Sequence, residues 1–320
     1  EISEGIDNFG AFFEVENSYD TATLTLYTLT KHLETVLPLV KDVILNPTFS
    51  EKEFDIYKNN AAERFKINLE KVSFIARSTF MTAIFGETHP YGKPVTIEDY
   101  TNLSIEDIRS FYNDNYTLNN CNILISGKVN QEHVNTLNSF FGQKLVPNNN
   151  ISNQNIENSK LDNSPIYIEK ENALQSAIRI GKIFPNKTHK DYFGLQILNT
   201  VLGGYFGSRL MKNIRENKGY TYGIGSGILS LKESGYFFIS TEVGSDVTKQ
   251  ALAEIYKEIE IIRTEEIPEE ELGLVRNYLL GQLLSSCDGP FSMASLFDNV
   301  NEYGLDYSFY NNYIATIKEI

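Results

Sequence analysis

One order of elements recurs along this chain, and it constrains the fold more than any single residue does. A strand, a second strand, a long amphipathic helix, a proline-containing break, a long helix and a turn leading to a further helix run from Tyr19-Asp20 through Phe49 to Lys71. The same order runs from Gly235-Tyr236 through Ile267 to Ser285. A duplicated α+β unit predicts two similar domains, each a mostly antiparallel sheet with helices packed on one side. Two such domains would face each other as a clasp around a cleft, where binding sites concentrate. The Asn-, Ser-, Asp- and Pro-rich stretch from Pro147-Asn148-Asn149-Asn150 onward marks the division. The first domain is therefore expected at residues 1–145, the linker at 146–163 and the second domain at 164–320. The first copy lacks counterparts of the residues preceding Arg215, and the second stops before a counterpart of Asn119–Gly127. A chain truncated at both ends is the expectation.

Local signals fill in the elements. Residues 6–29 read as two strands around a turn at Asn17-Ser18-Tyr19-Asp20, with threonine alternating with Ala22, Leu24 and Leu26 at period two. Leu33, Val36, Leu37, Val40 and Ile44 fall on one helical face, which Asn46-Pro47 ends. Ser50-Glu51-Lys52-Glu53 and Ser104-Ile105-Glu106-Asp107 open helices as capping boxes. Phe74–Phe85 reads as a helix stopped at Gly86, and His133–Phe141 as another. Cys121–Gly127 and Ile166–Ile168 read as short strands, as does Ser176–Ile180. A helix is predicted over Lys190–Leu202, a hairpin around Lys232-Glu233-Ser234, and a helix opening at Pro268 with Glu269, Glu270 and Glu271 against its positive dipole end.

Charge narrows the function. A net charge of −14 excludes a nucleic-acid binder, which needs a basic face. No apolar run is long enough for a membrane span. The compartment stays open between cytoplasm and periplasm. Cys121 and Cys287 lie far apart in no metal or redox spacing and are expected as buried small apolar residues. His89 within His89-Pro90-Tyr91-Gly92 is expected as a packed turn histidine, and the acidic run Glu265–Glu271 as a solvated helix start.

The stretch Gly203-Gly204-Tyr205-Phe206-Gly207-Ser208-Arg209-Leu210, continuing to Arg215 and through Gly219 to Tyr222, carries the candidate chemistry. Ser208 is a good N-cap and Gly219 a good helix-ending residue. Arg215 then lies on a last helical turn, and Tyr222 at the start of a strand. A guanidinium fork and a phenol aimed at one point could stabilise the oxyanion of a peptide carbonyl. On spacing alone the competing reading is a surface Arg215 paired with Glu216 and a half-buried Tyr222.

Gly203–Tyr222 closely resembles the second-domain signature of the insulinase, pitrilysin and mitochondrial-processing-peptidase family. Gly10-Ala11, Tyr19-Asp20, Pro47-Thr48-Phe49 and His89-Pro90-Tyr91-Gly92 resemble the same family in the first half. The resemblance implies duplicated α+β domains that clasp an unfolded polypeptide. It implies that Arg215 and Tyr222 hold the substrate backbone and the scissile carbonyl, with Gly203, Gly204, Gly207 and Ser208 in the substrate-binding loop. Family members that cleave peptides bind zinc through H-x-x-E-H, with the Glu as general base. That motif is absent: His32, His89, His133 and His189 are each more than four residues from the next. The family's third zinc ligand falls on Arg64 and a supporting Glu on Tyr57, although a one-residue slip would offer Glu63. Zinc is thus expected in the family and not on this chain. The resemblance implies a non-catalytic, substrate-binding subunit that takes a polypeptide and pairs with a zinc-bearing homologue, or with itself. The alternatives are a fragment of a complete zinc endopeptidase and a purely structural or peptide-binding homologue.

Overall fold

A computed structural model describes residues 2–116, 120–142 and 164–320; the expected linker, 146–163, lies outside them. In chain order the elements are α1 (Ile2–Asp7), β1 (Phe12–Asn17), β2 (Ala22–Tyr27), α2 (Leu33–Leu45), α3 (Glu51–Leu69) and α4 (Val72–Phe85). Then come α5 (Ile97–Asn102), α6 (Ile105–Asn115), α7 (Gln131–Phe141), β3 (Gln175–Ile183) and α8 (Tyr192–Asn199). Two π-helical segments follow, Thr200–Gly204 and Met211–Asn217. The chain continues with β4 (Ile224–Ser230), β5 (Gly235–Gly244), α9 (Thr248–Thr264), α10 (Glu269–Ser286), α11 (Gly289–Asn301) and α12 (Ser308–Glu319). This is an α+β chain, rich in helix, with two small antiparallel sheets.

Contacts divide the described residues into two compact units. One draws on the described residues within Glu1–Phe65 and Thr96–Asn155, the other on those within Lys66–Val95 and Ile156–Ile320. Residues 66–95 thus pack with the later half of the chain.

In the first unit β1 and β2 form a hairpin with Phe12 opposite Tyr27 and Asn17 opposite Ala22. The Ser18 hydroxyl closes its turn by accepting from the Asp20 and Thr21 amides at 3.1 and 2.9 Å. Ile6, Ala11, Val36 and Val40 make the core. Ser104 and Asp107 exchange the two bonds of a capping box at the start of α6, at 3.2 and 2.9 Å. Four sequence expectations fail. Ile6 was placed in a strand, yet it sits in α1 and is buried there, and the first strand begins only at Phe12. Cys121–Gly127 is not a strand: it is irregular, and Ile123, Leu124 and Ile125 are exposed. A strand exists only as half of a ladder, and this run has no ladder partner among the described residues. Ile166–Ile168 departs from the strand reading for the same reason, with Tyr167 84% exposed. Cys121 and Cys287, expected to be buried, are exposed free thiols.

The second unit is built on a three-stranded sheet in the order β3-β5-β4. Alternation sorts its side chains. Ile178, Ile224, Ile239 and Val243 point to one face, where Ala251 and Ile255 of α9 and Leu210, Met211 and Ile214 cover them. Tyr236 and Phe238 point to the other face and pack with Phe80, Met81, Ile84 and Phe85 of α4. That second helical layer was invisible in the later half of the sequence because α4 comes from the earlier half.

The last helix packs back on α8 through an aromatic cluster. Phe193 lies 5.4 Å from Tyr313 and 4.8 Å from Phe309, ring centre to ring centre. Burial is the main cause that pushes the Tyr310 and Tyr313 phenols up to about 12. These folded values lie above the unfolded value of about 10. The stabilisation is therefore complete below pH ~10 and is lost as pH climbs toward ~12. Melting temperatures recorded from pH 8 to 11.5 should fall steeply at the alkaline end, and a Tyr310→Phe/Tyr313→Phe chain should show a flatter alkaline limb. Parallel curves for the two proteins would contradict this account.

Candidate functional site

The glycine-rich stretch lies where α8 runs out against β4. The helix widens into the π-helical segment Thr200–Gly204; π-bulges cost hydrogen-bond geometry and concentrate at functional sites. Gly203 is buried against the sheet. A Cβ there would stand 2.6 Å from Ser226 Oγ, 2.7 Å from Ser226 N and 3.0 Å from Leu210 Cδ1. Glycine is what lets the helix end touch the β4 backbone. Gly207 avoids the Tyr205 ring, which a Cβ would meet at 2.7 Å, and Gly204 lies 3.3 Å from Asn199 on the same construction. Ser208 is 1% exposed, and its hydroxyl, like Asn199 Oδ1, has no hydrogen-bond partner among the described residues.

The helical turn after Ser208 is π-helical over Met211–Asn217. It ends as its sequence predicts: Gly219 takes φ +65°, and the Gly219 and Tyr220 amides donate back to the Arg215 and Ile214 carbonyls at 3.2 and 3.0 Å. Arg209, early on this segment, makes a bidentate pair with Glu271 of α10 at 2.9 and 2.7 Å. Glu271 therefore departs from the expectation of a solvated acidic run. Its partner is 62 residues away in the chain, beyond any local pattern. A polar cleft of about 500 Å³ lies behind the same segment, lined by Lys212, Asn213, Asn217 and Lys218 and by Glu254 and Glu258 of α9. Asn213 donates to both carboxylates at 3.0 and 2.7 Å. That amide first, then Lys218, holds the Glu254 carboxyl below its ordinary range.

Arg215 and Tyr222 occupy the two sides of the Gly219 turn. The Arg215 guanidinium lies over the Phe206 ring, 4.6 Å from its centre. The Glu216 pairing of the competing reading does not form: Arg215 has no ion pair among the described residues. Stacking on an aromatic face orients the fork while leaving its N–H edges outward. Tyr222 is 94% exposed, neither half-buried nor within a strand, since β4 starts at Ile224. Its backbone is nevertheless fixed. Thr221 Oγ1 lies 2.7 Å from the Glu242 carbonyl and accepts from the Gly223 amide at 3.1 Å and from the Thr241 hydroxyl at 3.0 Å. A full-sized phenol thus stands in solvent on a turn bolted to the central strand. Phe206, Thr221 and Thr241 were missed from sequence. A threonine two residues before a glycine is a local turn signal that would have flagged Thr221; Phe206 and Thr241 carry no such mark.

Arg64 and Tyr57, which fall where the family's third zinc ligand and its supporting Glu would, do not fit a zinc ion. No group of three or more His, Cys, Asp or Glu placed to hold a metal occurs among the described residues. Arg64 and Tyr57 are both exposed on α3, where a guanidinium and a neutral phenol offer a cation no ligand. Three of the four histidines spend Nδ1 on backbone amides: His89 accepts from Tyr91 at 3.0 Å, His133 from Asn130 at 3.1 Å and His189 from Asp191 at 3.2 Å. His89 is also buried between Phe85 and Tyr91, and that burial lowers its pKa. No helix among the described residues is long and apolar enough to cross a membrane.

Known proteins agree with this architecture. An uncharacterized zinc protease of Mycobacterium leprae is 22% identical over all of this chain and 72% of its own length. The uncharacterized zinc protease YmxG of Bacillus subtilis is 24% identical over 92% of this chain and 71% of its own. A crystal structure of a peptidase M16 inactive domain from Pseudomonas fluorescens shares the fold, with a TM-score of 0.84 at 20% identity, over 100% of this chain and 77% of that one. The family model described as the peptidase M16 inactive domain matches residues 102–279, more than half the chain and the whole of the Gly203–Tyr222 stretch, so the chain belongs to that family.

Proposed function

We propose that this chain is a non-catalytic, substrate-binding subunit of a zinc-peptidase-like complex, in which Arg215 and Tyr222 hold the backbone and scissile carbonyl of a polypeptide. One observation carries the reading: Tyr222 is fully presented on a turn that Thr221 and Thr241 pin to β5. Exposing a large aromatic costs hydrophobic stabilisation, and a rigid exposed Tyr is the residue type that anchors polypeptide partners. The phenol donates one hydrogen bond and the Arg215 fork several, the chemistry a developing oxyanion requires. Gly203, Gly204, Gly207 and Ser208 form the supporting loop; the burial of Gly203 and Ser208 gives them a positioning role beneath the peptide.

Arg64 and Tyr57 at the positions of the family's third zinc ligand and its supporting Glu, with no clustered donor set among the described residues, favour a metal supplied by a second chain. Mixing this protein with a homologue that carries an H-x-x-E-H helix should yield a stable assembly that hydrolyses unfolded polypeptide faster than the homologue alone. A homologue equally active alone, with no assembly on size exclusion, would overturn the proposal. The description of its relatives as zinc proteases favours a second reading, that this chain is part of a complete zinc endopeptidase. Metal analysis of the full-length gene product separates the two: one zinc per chain supports the second reading and defeats the first.

A further inference from the structure

The side of the three-stranded sheet that packs on α4 carries an unbalanced pair of cations at its margin. Phe80 of α4 sits over Gly181 of β3, where a Cβ would stand 2.8 Å from its ring. Arg77 lies one helical turn before Phe80 and so shares its face. Arg179 lies two residues before Gly181 and so shares the sheet face. The packing of α4 on β3 therefore brings two guanidiniums side by side. Arg179 is half-buried with its guanidinium carbon 5.2 Å from the Phe238 ring centre. Burial first, then the positive charge of Arg77, lowers its pKa. Neither arginine has an ion pair or hydrogen bond among the described residues. The nearest acid by register on that face is Glu242, diagonal to Arg179 and opposite Ala177. In a chain of net charge −14, two adjacent unpaired guanidiniums are an exception, and their mutual repulsion is relieved by an anion between them.

Register places this pair with respect to Tyr222. Arg179 is opposite Ser240, and Ser240 is opposite Gly225. Two inter-strand steps put Arg179 about 10 Å across the sheet from Gly225, which is three residues beyond Tyr222. The row between them is a serine and a glycine, so no large side chain rises from it. Tyr222 lies about a further 10 Å along the chain from Gly225, so the pair stands about 14 Å from it; at about 3.3 Å per residue of extended peptide, a side chain roughly four residues from the one held at Tyr222 reaches the pair. We propose that Arg77 and Arg179 form a carboxylate-binding subsite for an Asp or Glu side chain of the bound polypeptide. Planar guanidiniums match a carboxylate in bidentate fashion, which gives a positional preference for acidic residues and not a general attraction.

This inference rests on the polypeptide-binding reading above, and the test separates the two. Short peptides with both ends blocked, each carrying one Glu at successive positions, and their Gln counterparts are titrated against the full chain by fluorescence anisotropy. At the best position the Glu peptide should bind about tenfold tighter than its Gln counterpart, the size of one charge-assisted hydrogen-bonded contact. Arg77→Gln, at an exposed position, and Arg179→Gln should each bring that ratio toward one while leaving the Gln peptide unaffected. Arg179→Lys should restore little of it, because a point charge lacks the fork. A Gln peptide with a free C-terminus that recovers the full tenfold gain would overturn the side-chain assignment in favour of a terminal carboxylate. Equal binding of Glu and Gln peptides at every position would overturn the subsite alone. No binding of any peptide would overturn the polypeptide reading and the subsite with it.

Discussion

Replacing Gly203 by valine should destabilise the unit that carries the three-stranded sheet by about 3 kcal/mol, the upper part of the usual range for overpacking a filled core. The obstacle is backbone. A Cβ at 203 would stand 2.7 Å from Ser226 N, and the Leu210 methyl is 3.0 Å away on the other side. Only the Ser226 hydroxyl, at 2.6 Å, could swing aside. Either β4 separates from the end of α8 or the Thr200–Gly204 turn lifts from the sheet. In both cases the Ser226 hydroxyl loses its bond to the Asn199 carbonyl, which is 3.3 Å long in the native packing. A loss of this size corresponds to a fall of about 6–12 °C in melting temperature for a unit of this length. Differential scanning calorimetry checks it, and an unchanged melting curve would show that Gly203 is not the contact point between helix and strand.

The elements that were legible in the sequence are those whose signal is local. Ser50 and Ser104 open helices, Gly86 and Gly219 close them, and the hairpin between β4 and β5 turns at Leu231–Ser234, where those two residues exchange backbone bonds. Each is decided within about four residues by a side-chain cap or by a backbone that needs positive φ. The misread segments depend on distant partners. Ile123-Leu124-Ile125 and Ile166-Tyr167-Ile168 have the composition of strands, but composition cannot supply the neighbouring strand that makes a ladder. Residues 66–95 belong with the second unit because Phe80 and Phe85 fit Tyr236 and Phe238, a match between stretches far apart in the chain.

The candidate site divides in the same way. Arg215 and Tyr222 were singled out through the resemblance of their glycine-rich setting to a family signature; locally the sequence marks the left-handed Gly219 between them but misplaces Tyr222, which precedes the strand that starts at Ile224. What holds them could not be named from the sequence. The Phe206 ring under the guanidinium depends on how the Gly203–Gly207 loop folds back, and the Thr221–Thr241 hydroxyl pair joins the turn before β4 to a residue within β5. Arg209 and Glu271 meet only because α10 packs beside the signature helix. Packing also gives Gly203 and Ser208 a place beneath the surface that the sequence pattern alone does not distinguish from direct contact with a peptide.

Tyr222→Phe should separate function from stability as sharply as Gly203→Val joins them. The Tyr222 hydroxyl makes no hydrogen bond among the described residues, and its ring is in solvent, so removing one oxygen leaves the fold unstrained and the melting temperature unchanged. If that phenol donates to the oxyanion of a scissile carbonyl, its loss removes an interaction that strengthens in the transition state. The expected cost is on the order of 10²-fold in kcat with KM little changed. The measurement is peptide hydrolysis by this chain assembled with a zinc-bearing homologue, wild type against Tyr222→Phe, with calorimetry run on the same preparations. A fall in kcat of about a hundredfold at constant melting temperature is the predicted result. Equal kcat for the two assemblies would contradict the claim that this chain contributes half of an active site.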